Sequence, residues 1–237
     1  DTGAKTLANS SEEKITEGLD GLKDRLKDYY KLGARFAKWR GVYIISNKYP
    51  SKIAISANAY ALSRYSALVQ ESGMVPIVEP EVLMDGSHDI DRCFDVTEAT
   101  LTTVFSELRA QNVILEGILL KPNMVISGKE SLNRANAKEV ADATIRCFQS
   151  CVPSSVPGIV FLSGGQTDEE ATVNLDAINR RTGEFPWEMS FSYGRGLQAT
   201  PLKTWAGKAE NVEEAQNSLI VRAKLTSAAR DGNYSSG

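Results

Sequence analysis

The feature that most constrains the fold is a regular alternation of short apolar segments with longer amphipathic ones. The strands predicted from this pattern begin near residues 35, 75, 117, 158 and 187. Successive units are therefore about 40 residues long, and the last is about 30, a length that suits a strand and its crossover helix. An eight-fold barrel at this spacing would need roughly 300 residues, and the chain has 237. We therefore predict an α/β fold of the (β/α)8 TIM-barrel family, with about the last five units present in a single domain, 1–237.

Apolar periodicity and capping residues place the individual elements. Strands are expected at 35–45, 74–83, 117–121, 158–165 and 187–195. Helices are expected at 10–33, 52–73, 89–112, 136–152, 167–181, about 197–206 and 211–230. The rival architecture is a five-unit doubly wound sheet, which predicts a glycine-rich phosphate loop after the first strand. Residues 41–50 contain no such loop.

Composition and charge exclude several classes of function. The chain is 42% hydrophobic and 24% charged, with a net charge of −3, so it has no general attraction to nucleic acid or to an anionic membrane. No apolar run approaches the ~18 residues that span a bilayer. We expect a cytoplasmic protein with neither a nucleic-acid nor a membrane partner.

Histidine and cysteine usage bears on metals and redox chemistry. The chain has a single histidine, His88, which excludes a transition-metal site built on several imidazoles. We expect a reaction without a metal ion or a cofactor. The three cysteines, Cys93, Cys147 and Cys151, are interpreted as free thiols in a reducing compartment.

Charged residues break the apolar run at the carboxyl ends of three predicted strands. The positions concerned are Lys38 and Arg40, Glu79 and Glu81, and Lys121. Residues two apart share a face of a strand, and a buried parallel strand is normally apolar on both faces. Since the carboxyl ends of barrel strands carry the chemistry of the fold, these five side chains are predicted to converge on a catalytic site.

Lys121 is the candidate nucleophile of that site. Burial and a nearby Lys38 ammonium group would both favour its neutral form, and a neutral amine attacks a carbonyl to form a Schiff base. Glu79 or Glu81 could transfer the protons that this chemistry needs. Gly117, on the same face of the predicted strand, is expected to make room for the amine. The alternative is a structural ion-pair cluster that closes the barrel mouth, but the same break at three strand ends favours a site.

The last two predicted strands are followed by small and basic residues that suit an anion. Ser163, Gly164 and Gly165 follow one strand, and Gly194 and Arg195 follow the other. Glycines let backbone N–H groups approach an anion, and a following helix N-terminus adds its dipole. An arginine can hold phosphate with two hydrogen bonds, and the loops after strands seven and eight commonly form the phosphate site of this barrel.

These segments together resemble class I fructose-bisphosphate aldolase, the metal-independent Schiff-base type. The blocks occur in the order of that family and cover essentially the whole chain. They are GLDGL (18–22), FAKWR (36–40), VPIVEPE (75–81), DGSHD (85–89), LLKPNMV (119–125), FLSGGQ (161–166), AINR (177–180) and SYGRGLQ (192–198).

The resemblance implies a role for each candidate residue. Lys121 would form the Schiff base, Glu79 would be the main acid and base, and Glu81 and Lys38 would assist it. Arg40 would lie on the substrate side, while Ser163, Gly164, Gly194 and Arg195 would bind a substrate phosphate. The family cleaves fructose 1,6-bisphosphate reversibly to dihydroxyacetone phosphate and glyceraldehyde 3-phosphate in glycolysis and gluconeogenesis, and it is usually a homotetramer.

The resemblance also sets two alternatives beside this activity. The first three strands of the family would precede Asp1, so the chain is expected to be a fragment of a longer aldolase and to be inactive alone. One alternative is therefore a catalytically silent binding or assembly partner. The other is a different Schiff-base sugar-phosphate aldolase, such as a transaldolase-like or deoxyribose-phosphate aldolase-like enzyme.

Overall fold

The computed structural model describes residues 2–181 and 183–235, and these residues contain seven strands and seven α-helices. The strands are β1 (Gly3–Thr6), β2 (Lys14–Glu17), β3 (Phe36–Tyr43), β4 (Val75–Val82), β5 (Leu119–Leu120), β6 (Gly158–Phe161) and β7 (Glu188–Phe191). The helices are α1 (Leu22–Lys31), α2 (Lys52–Glu71), α3 (Ile90–Ala110), α4 (Ala137–Cys151), α5 (Asp168–Asn179), α6 (Arg195–Trp205) and α7 (Val212–Arg230).

The main sheet has five parallel strands in the order β3-β4-β5-β6-β7. Each strand pairs with the next one along the chain, and the order never reverses. A doubly wound sheet reverses its strand order at a switch point, so this topology rules out the rival architecture. Consecutive βα units laid side by side are the building pattern of the (β/α)8 barrel, and the prediction of five such units is confirmed.

One face of the sheet packs against the helices and forms the hydrophobic core. Its buried side chains include Trp39, Val78, Leu120, Ile159 and Phe161. Burial of each such side chain stabilises the fold by about 1.5–3 kcal/mol. Residues at the alternate positions, among them Lys38, Glu79 and Lys121, therefore face the opposite side of the sheet.

Polar side chains fix the start of four of the helices. Ser51, Asp89, Asn136 and Thr167 each accept a hydrogen bond from a backbone N–H group in the first turn of α2, α3, α4 and α5. Such a cap contributes about 1 kcal/mol. Because these caps directly follow the strand-to-helix loops, they define where the loops at the candidate site end.

The helix predicted over 10–33 is wrong in its first half. Residues 14–17 form β2, which pairs antiparallel with β1, and the helix begins only at Leu22. Gly18 and Gly21 adopt positive φ angles of 128° and 67°, which interrupt any helix across them. The hairpin is held to the sheet by a hydrogen bond of 2.5 Å from the Thr16 hydroxyl to the carbonyl oxygen of Arg40.

The strand predicted at 117–121 is shorter than expected. A single 3-10 turn occupies Leu115–Gly117, and β5 contains only Leu119 and Leu120. Gly117 lies beside Gln70 of α2, whose Nε2 would be 3.1 Å from a Cβ at this position. The expectation that Gly117 makes room for Lys121 is therefore wrong. The last ladder bond runs from the N–H of Lys121 to the carbonyl oxygen of Val78, at 2.8 Å, and Pro122 has no N–H group to continue it.

The strands predicted at 158–165 and 187–195 also end early. Strand β6 ends at Phe161 and strand β7 ends at Phe191. The glycine-containing segments that follow them lie outside the strands. Gly164 and Gly165 have φ angles of 44° and 83°, which strand geometry does not allow. Within the described ranges, no helix has both the length and the apolar character of a membrane span.

Candidate active site

A buried lysine and a buried glutamate meet where β4 and β5 end. Lys121 Nζ lies 3.3 Å from Glu79 Oε1, and both residues are almost fully buried, with 9% and 4% of their surface exposed. Val78 and Leu120 are paired in the parallel register, so the next residues, Glu79 and Lys121, follow side by side. The β4–β5 register therefore brings this pair together.

Two ion pairs join β3 to β4 on the same face. Glu79 Oε2 accepts a short hydrogen bond from Lys38, and Glu81 Oε2 lies 2.5 Å from Arg40 Nε. In the register Arg40 is opposite Glu79, so both pairs are diagonal contacts, which long side chains readily make across neighbouring strands. The carboxylates are buried while the Lys38 and Arg40 side chains are 41% and 46% exposed.

Glu79 occupies the centre of this cluster because each of its oxygens has a different basic partner. The sequence predicts that Lys38 acts directly on Lys121, but the carboxylate of Glu79 lies between the two amines. A carboxylate in this position can exchange a proton with Lys121 while Lys38 balances its charge. Any effect of Lys38 on the charge of Lys121 is therefore transmitted through the Glu79 carboxylate.

Asn123 fixes the segment that carries Lys121. Its Oδ1 accepts a hydrogen bond of 3.0 Å from the N–H of Val82, and its Nδ2 donates to Thr97 Oγ1 at 3.1 Å. The residue is buried. The end of β4, the segment after β5 and helix α3 are thus joined by one side chain two residues from Lys121.

The turn after β6, residues 163–165 (the β6 turn), places a serine and two glycines beside the carboxylates. Gly164 adopts a left-handed conformation, and a Cβ there would meet Leu162 Cδ1 at 2.5 Å and Glu81 Oε1 at 3.7 Å. Only glycine suits this position. Ser163 is buried, and its Oγ accepts a hydrogen bond of 3.3 Å from the N–H of Gly196.

The turn after β7, residues 194–195 (the β7 turn), leads directly into α6. A Cβ at Gly194 would meet no atom within 4 Å, so the space above this residue is open. Arg195 is exposed, and within the described part of the chain its guanidinium forms no ion pair or hydrogen bond. The bond between Gly196 and Ser163 joins the two turns.

Backbone donors of both turns remain available for a ligand. Among the described residues, the N–H groups of Ser163, Gly164, Gly194 and Arg195 have no hydrogen-bond acceptor. Four free N–H groups, a helix N-terminus and an unpaired guanidinium form a site suited to an anion such as phosphate. Tyr193, the residue before the β7 turn, is anchored to α5, because its hydroxyl donates to the carbonyl oxygen of Ala171 at 2.9 Å. Burial raises the pKa of this phenol.

All nine predicted site residues therefore fall into two linked groups. The charged cluster and the two turns meet where Gly164 approaches Glu81. Across residues 2–181 and 183–235 no group of three or more His, Cys, Asp or Glu side chains could hold a metal ion.

Sequence reasoning missed three residues that organise this region. Asn123 lies in the LLKPNMV block and could have been found there. Lys129 and Arg222 carry no pattern signal, since each resembles an ordinary solvated cation. Lys129 Nζ lies 3.3 Å from Asp85 Oδ1 and contacts the β6 turn at Gly165, while Arg222 is buried behind both turns.

Comparison with known proteins identifies the family to which this arrangement belongs. The family model described as fructose-bisphosphate aldolase class-I matches residues 1–237. The chain belongs to the class-I fructose-bisphosphate aldolase family. It is similar to fructose-bisphosphate aldolase 4, cytosolic, of Arabidopsis thaliana, with 54% identity over 99% of this chain and 60% of that protein.

Two further relatives give the same assignment. A probable class 1 fructose-bisphosphate aldolase of Xanthomonas axonopodis is 53% identical over 99% of this chain and 70% of its own length. The fructose-bisphosphate aldolase of Plasmodium falciparum, solved in complex with TRAP and a small-molecule inhibitor, superposes with a TM-score of 0.96 at 48% identity. That comparison covers 99% of this chain and 68% of the aldolase. The chain thus spans 60–70% of the length of these aldolases.

Proposed function

We propose that the protein cleaves fructose 1,6-bisphosphate reversibly to dihydroxyacetone phosphate and glyceraldehyde 3-phosphate through a Schiff base on Lys121. The observation that carries this proposal is the contact of 3.3 Å between Lys121 Nζ and Glu79 Oε1 in a buried setting. A buried amine beside a carboxylate has a proton acceptor at hand before it attacks a carbonyl carbon. Membership of the class-I family supports the assignment.

In the proposed reaction Glu79 removes a proton from Lys121, and the free amine attacks the C2 carbonyl carbon of the substrate. Glu79 returns that proton to the C2 oxygen, then takes a second proton from the attached nitrogen and passes it to the same oxygen. The oxygen leaves as water, so that a positively charged iminium forms. Lys38, at the other oxygen of Glu79, balances the carboxylate while its proton is transferred.

Carbon–carbon cleavage then uses the iminium as the electron acceptor. The C4 hydroxyl gives its proton to the carboxylate, the bond between C3 and C4 breaks, and its electron pair moves toward the iminium nitrogen. Glyceraldehyde 3-phosphate departs. Protonation of C3 and hydrolysis of the iminium release dihydroxyacetone phosphate and the amine. Because the nitrogen accepts the electrons, we propose that no metal ion or cofactor takes part.

The two turns supply the phosphate specificity in this proposal. The oxygens of one substrate phosphate would accept hydrogen bonds from four backbone N–H groups, those of Ser163, Gly164, Gly194 and Arg195. The Arg195 guanidinium would bind the same phosphate. Arg40, held by Glu81, would lie on the substrate side of the cluster. Glu81 would thereby keep a cation in place beside Glu79 and the β6 turn.

The wider setting of the enzyme rests on the family. We propose that residues 1–237 belong to one barrel domain, that the protein acts in the cytoplasm, and that the full enzyme is a homotetramer. Cytosolic and cytoplasmic isozymes among the relatives support the location.

The proposal is tested by assaying the natural gene product for cleavage of fructose 1,6-bisphosphate with Lys121→Met and, as a matched control, Lys23→Met. Lys23 is an exposed lysine on α1 that pairs with Glu71. We expect kcat to fall by more than about 10³-fold in the first variant only, because the nucleophile is lost. Activity that survives Lys121→Met, or that EDTA abolishes in the wild type, would exclude this mechanism.

A further inference from the structure

A buried arginine on α7 joins the two helices that follow the β6 and β7 turns. Arg222 is 8% exposed. Its Nη2 donates to the carbonyl oxygens of Asp168, at 2.9 Å, and Gly196, at 3.0 Å. Asp168 is the first residue of α5 and Gly196 is the second of α6, so one guanidinium holds the N-terminal ends of both helices.

Further contacts keep this guanidinium in one orientation. Nη2 also donates to Thr172 Oγ1 at 2.9 Å, and Nε donates to the carbonyl oxygen of Gly196 at 3.3 Å. The nearest carboxylate oxygen, Asp168 Oδ2, lies 3.7 Å from Nε and also accepts a hydrogen bond of 2.6 Å from Thr200. A planar group with donors on three nitrogens suits this arrangement, whereas an ammonium group carries all its donors on a single nitrogen.

Gly196 transmits the position of Arg222 to the β6 turn. Its carbonyl oxygen is bound by Arg222, and its N–H donates to Ser163 Oγ. A Cβ at Gly196 would lie 3.0 Å from the Ser163 Cβ, so the two backbones are in close contact. A shift of Gly196 would therefore change the distance between the β6 turn and the β7 turn.

We propose that Arg222 is a positioning residue that sets the spacing between the β6 and β7 turns so that both bind the same phosphate group. The inference rests on the proposed function, which assigns these turns to the substrate phosphate. Arg222 is assigned a positioning role because it is buried and its Nε and Nη2 donate to protein oxygens behind the turns. Its effect on the reaction is expected in substrate binding, since the Lys121 cluster lies on other strands.

The test compares Arg222→Met and Arg222→Lys with Arg230→Met in the natural gene product. Arg230 lies on the same helix but is half-exposed and pairs with Glu188 and Asp231, so it is a matched control. Two quantities are measured: the dissociation constant of inorganic phosphate, by ³¹P NMR titration, and KM and kcat for fructose 1,6-bisphosphate. Phosphate binding does not depend on turnover and so separates this inference from the proposed activity.

We expect Arg222→Met to raise both the phosphate dissociation constant and KM by about 10-fold or more, with kcat changed by less than about 3-fold. Arg222→Lys should give the same pattern with an increase of at least about 3-fold, and it decides the question if the methionine variant does not fold. Arg230→Met should match the wild type.

A lower kcat with unchanged KM and unchanged phosphate binding would show that Arg222 contributes only to the stability of the folded protein. This result would overturn the inference. If the wild type binds phosphate but does not cleave the sugar, the proposed function fails. The inference is then judged by phosphate binding alone: weaker binding in Arg222→Met supports it, and equal binding contradicts it.

Discussion

Glu79 and Lys121 contact each other at 3.3 Å across two neighbouring parallel strands, and the second oxygen of Glu79 is held by Lys38. Both members of the central pair are buried. A buried ion pair is a weak source of stability, which agrees with the proposal that this pair transfers protons rather than supporting the fold.

Replacement of Glu79 by glutamine tests this explanation. The amide has nearly the same shape but cannot accept a proton, so we expect kcat to fall by about 10²–10⁴-fold, with the protein still folded. The measurement is steady-state cleavage of fructose 1,6-bisphosphate together with the thermal midpoint. Glu71→Gln, at an exposed glutamate, is the control, and equal activity in the two variants would show that Glu79 transfers no essential proton.

Asn123 is expected to stabilise both the fold and the position of Lys121. Substitution by leucine leaves the N–H of Val82 and the Thr97 hydroxyl without their partner. An unsatisfied buried polar group costs about 1–3 kcal/mol, so urea unfolding should show a loss of at least about 2 kcal/mol. Asn133→Leu changes an exposed asparagine and should cost less than about 0.5 kcal/mol. If the two variants are equally stable, the bridge through Asn123 is not important.

The loops after β4 and β5 cross at Gly128 with no space for a side chain. A Cβ there would lie 2.2 Å from the carbonyl oxygen of Gly86. We expect Gly128→Ala to destabilise the protein by about 2–3 kcal/mol, because backbone must move. Gly33 has a φ angle of 103° and open space around it, so Gly33→Ala should cost only about 1 kcal/mol of backbone strain. Unfolding in urea gives both values, and a smaller loss at Gly128 than at Gly33 would disprove the close crossing.

His88, the one histidine of the chain, should make stability depend on pH. Burial lowers its pKa, Asp89 opposes that effect and Arg92 adds to it. The unfolded chain, with an ordinary value of about 6.5, therefore binds the proton more readily than the folded one. The unfolding free energy should be highest above this value and should fall as the pH drops below it, until the folded-state pKa is passed.

The matched variant for this pH effect is His88→Gln. This variant should show a weaker pH dependence of the unfolding free energy between about pH 7 and pH 5, where no other side chain of ordinary pKa titrates strongly. Denaturation series at several pH values measure it. An identical slope in the wild type and the variant would mean that His88 is not protected from protons in the folded state.

The sequence was sufficient to predict the parallel sheet and much of the candidate site, because both follow from local patterns. Alternation along β3 and β4 places Lys38 with Arg40 and Glu79 with Glu81 on one face, and the apolar run before Lys121 marks a buried strand. Which carboxylate meets which amine depends on the register between strands. That information is non-local, so the position of Glu79 between two amines could not be predicted.

The errors have physical causes of the same kind. Residues 14–17 have charges that suit a helix, yet they pair with residues 3–6 in a hairpin, and two glycines with positive φ delay the helix. Gly117 lies in a 3-10 turn against Gln70. Arg222 resembles a surface residue on a helix of mixed polarity, and only the packing of α5, α6 and α7 reveals that it is buried.

The central claim, that Lys121 is the nucleophile, is tested most directly by borohydride reduction of the natural gene product in the presence of dihydroxyacetone phosphate. Reduction converts an iminium into a stable secondary amine, which peptide mass spectrometry locates. We expect an adduct on Lys121 and none on Lys38 or Lys129, with loss of the adduct in Lys121→Met. An adduct on a different lysine, or rapid cleavage with no adduct at all, would contradict it.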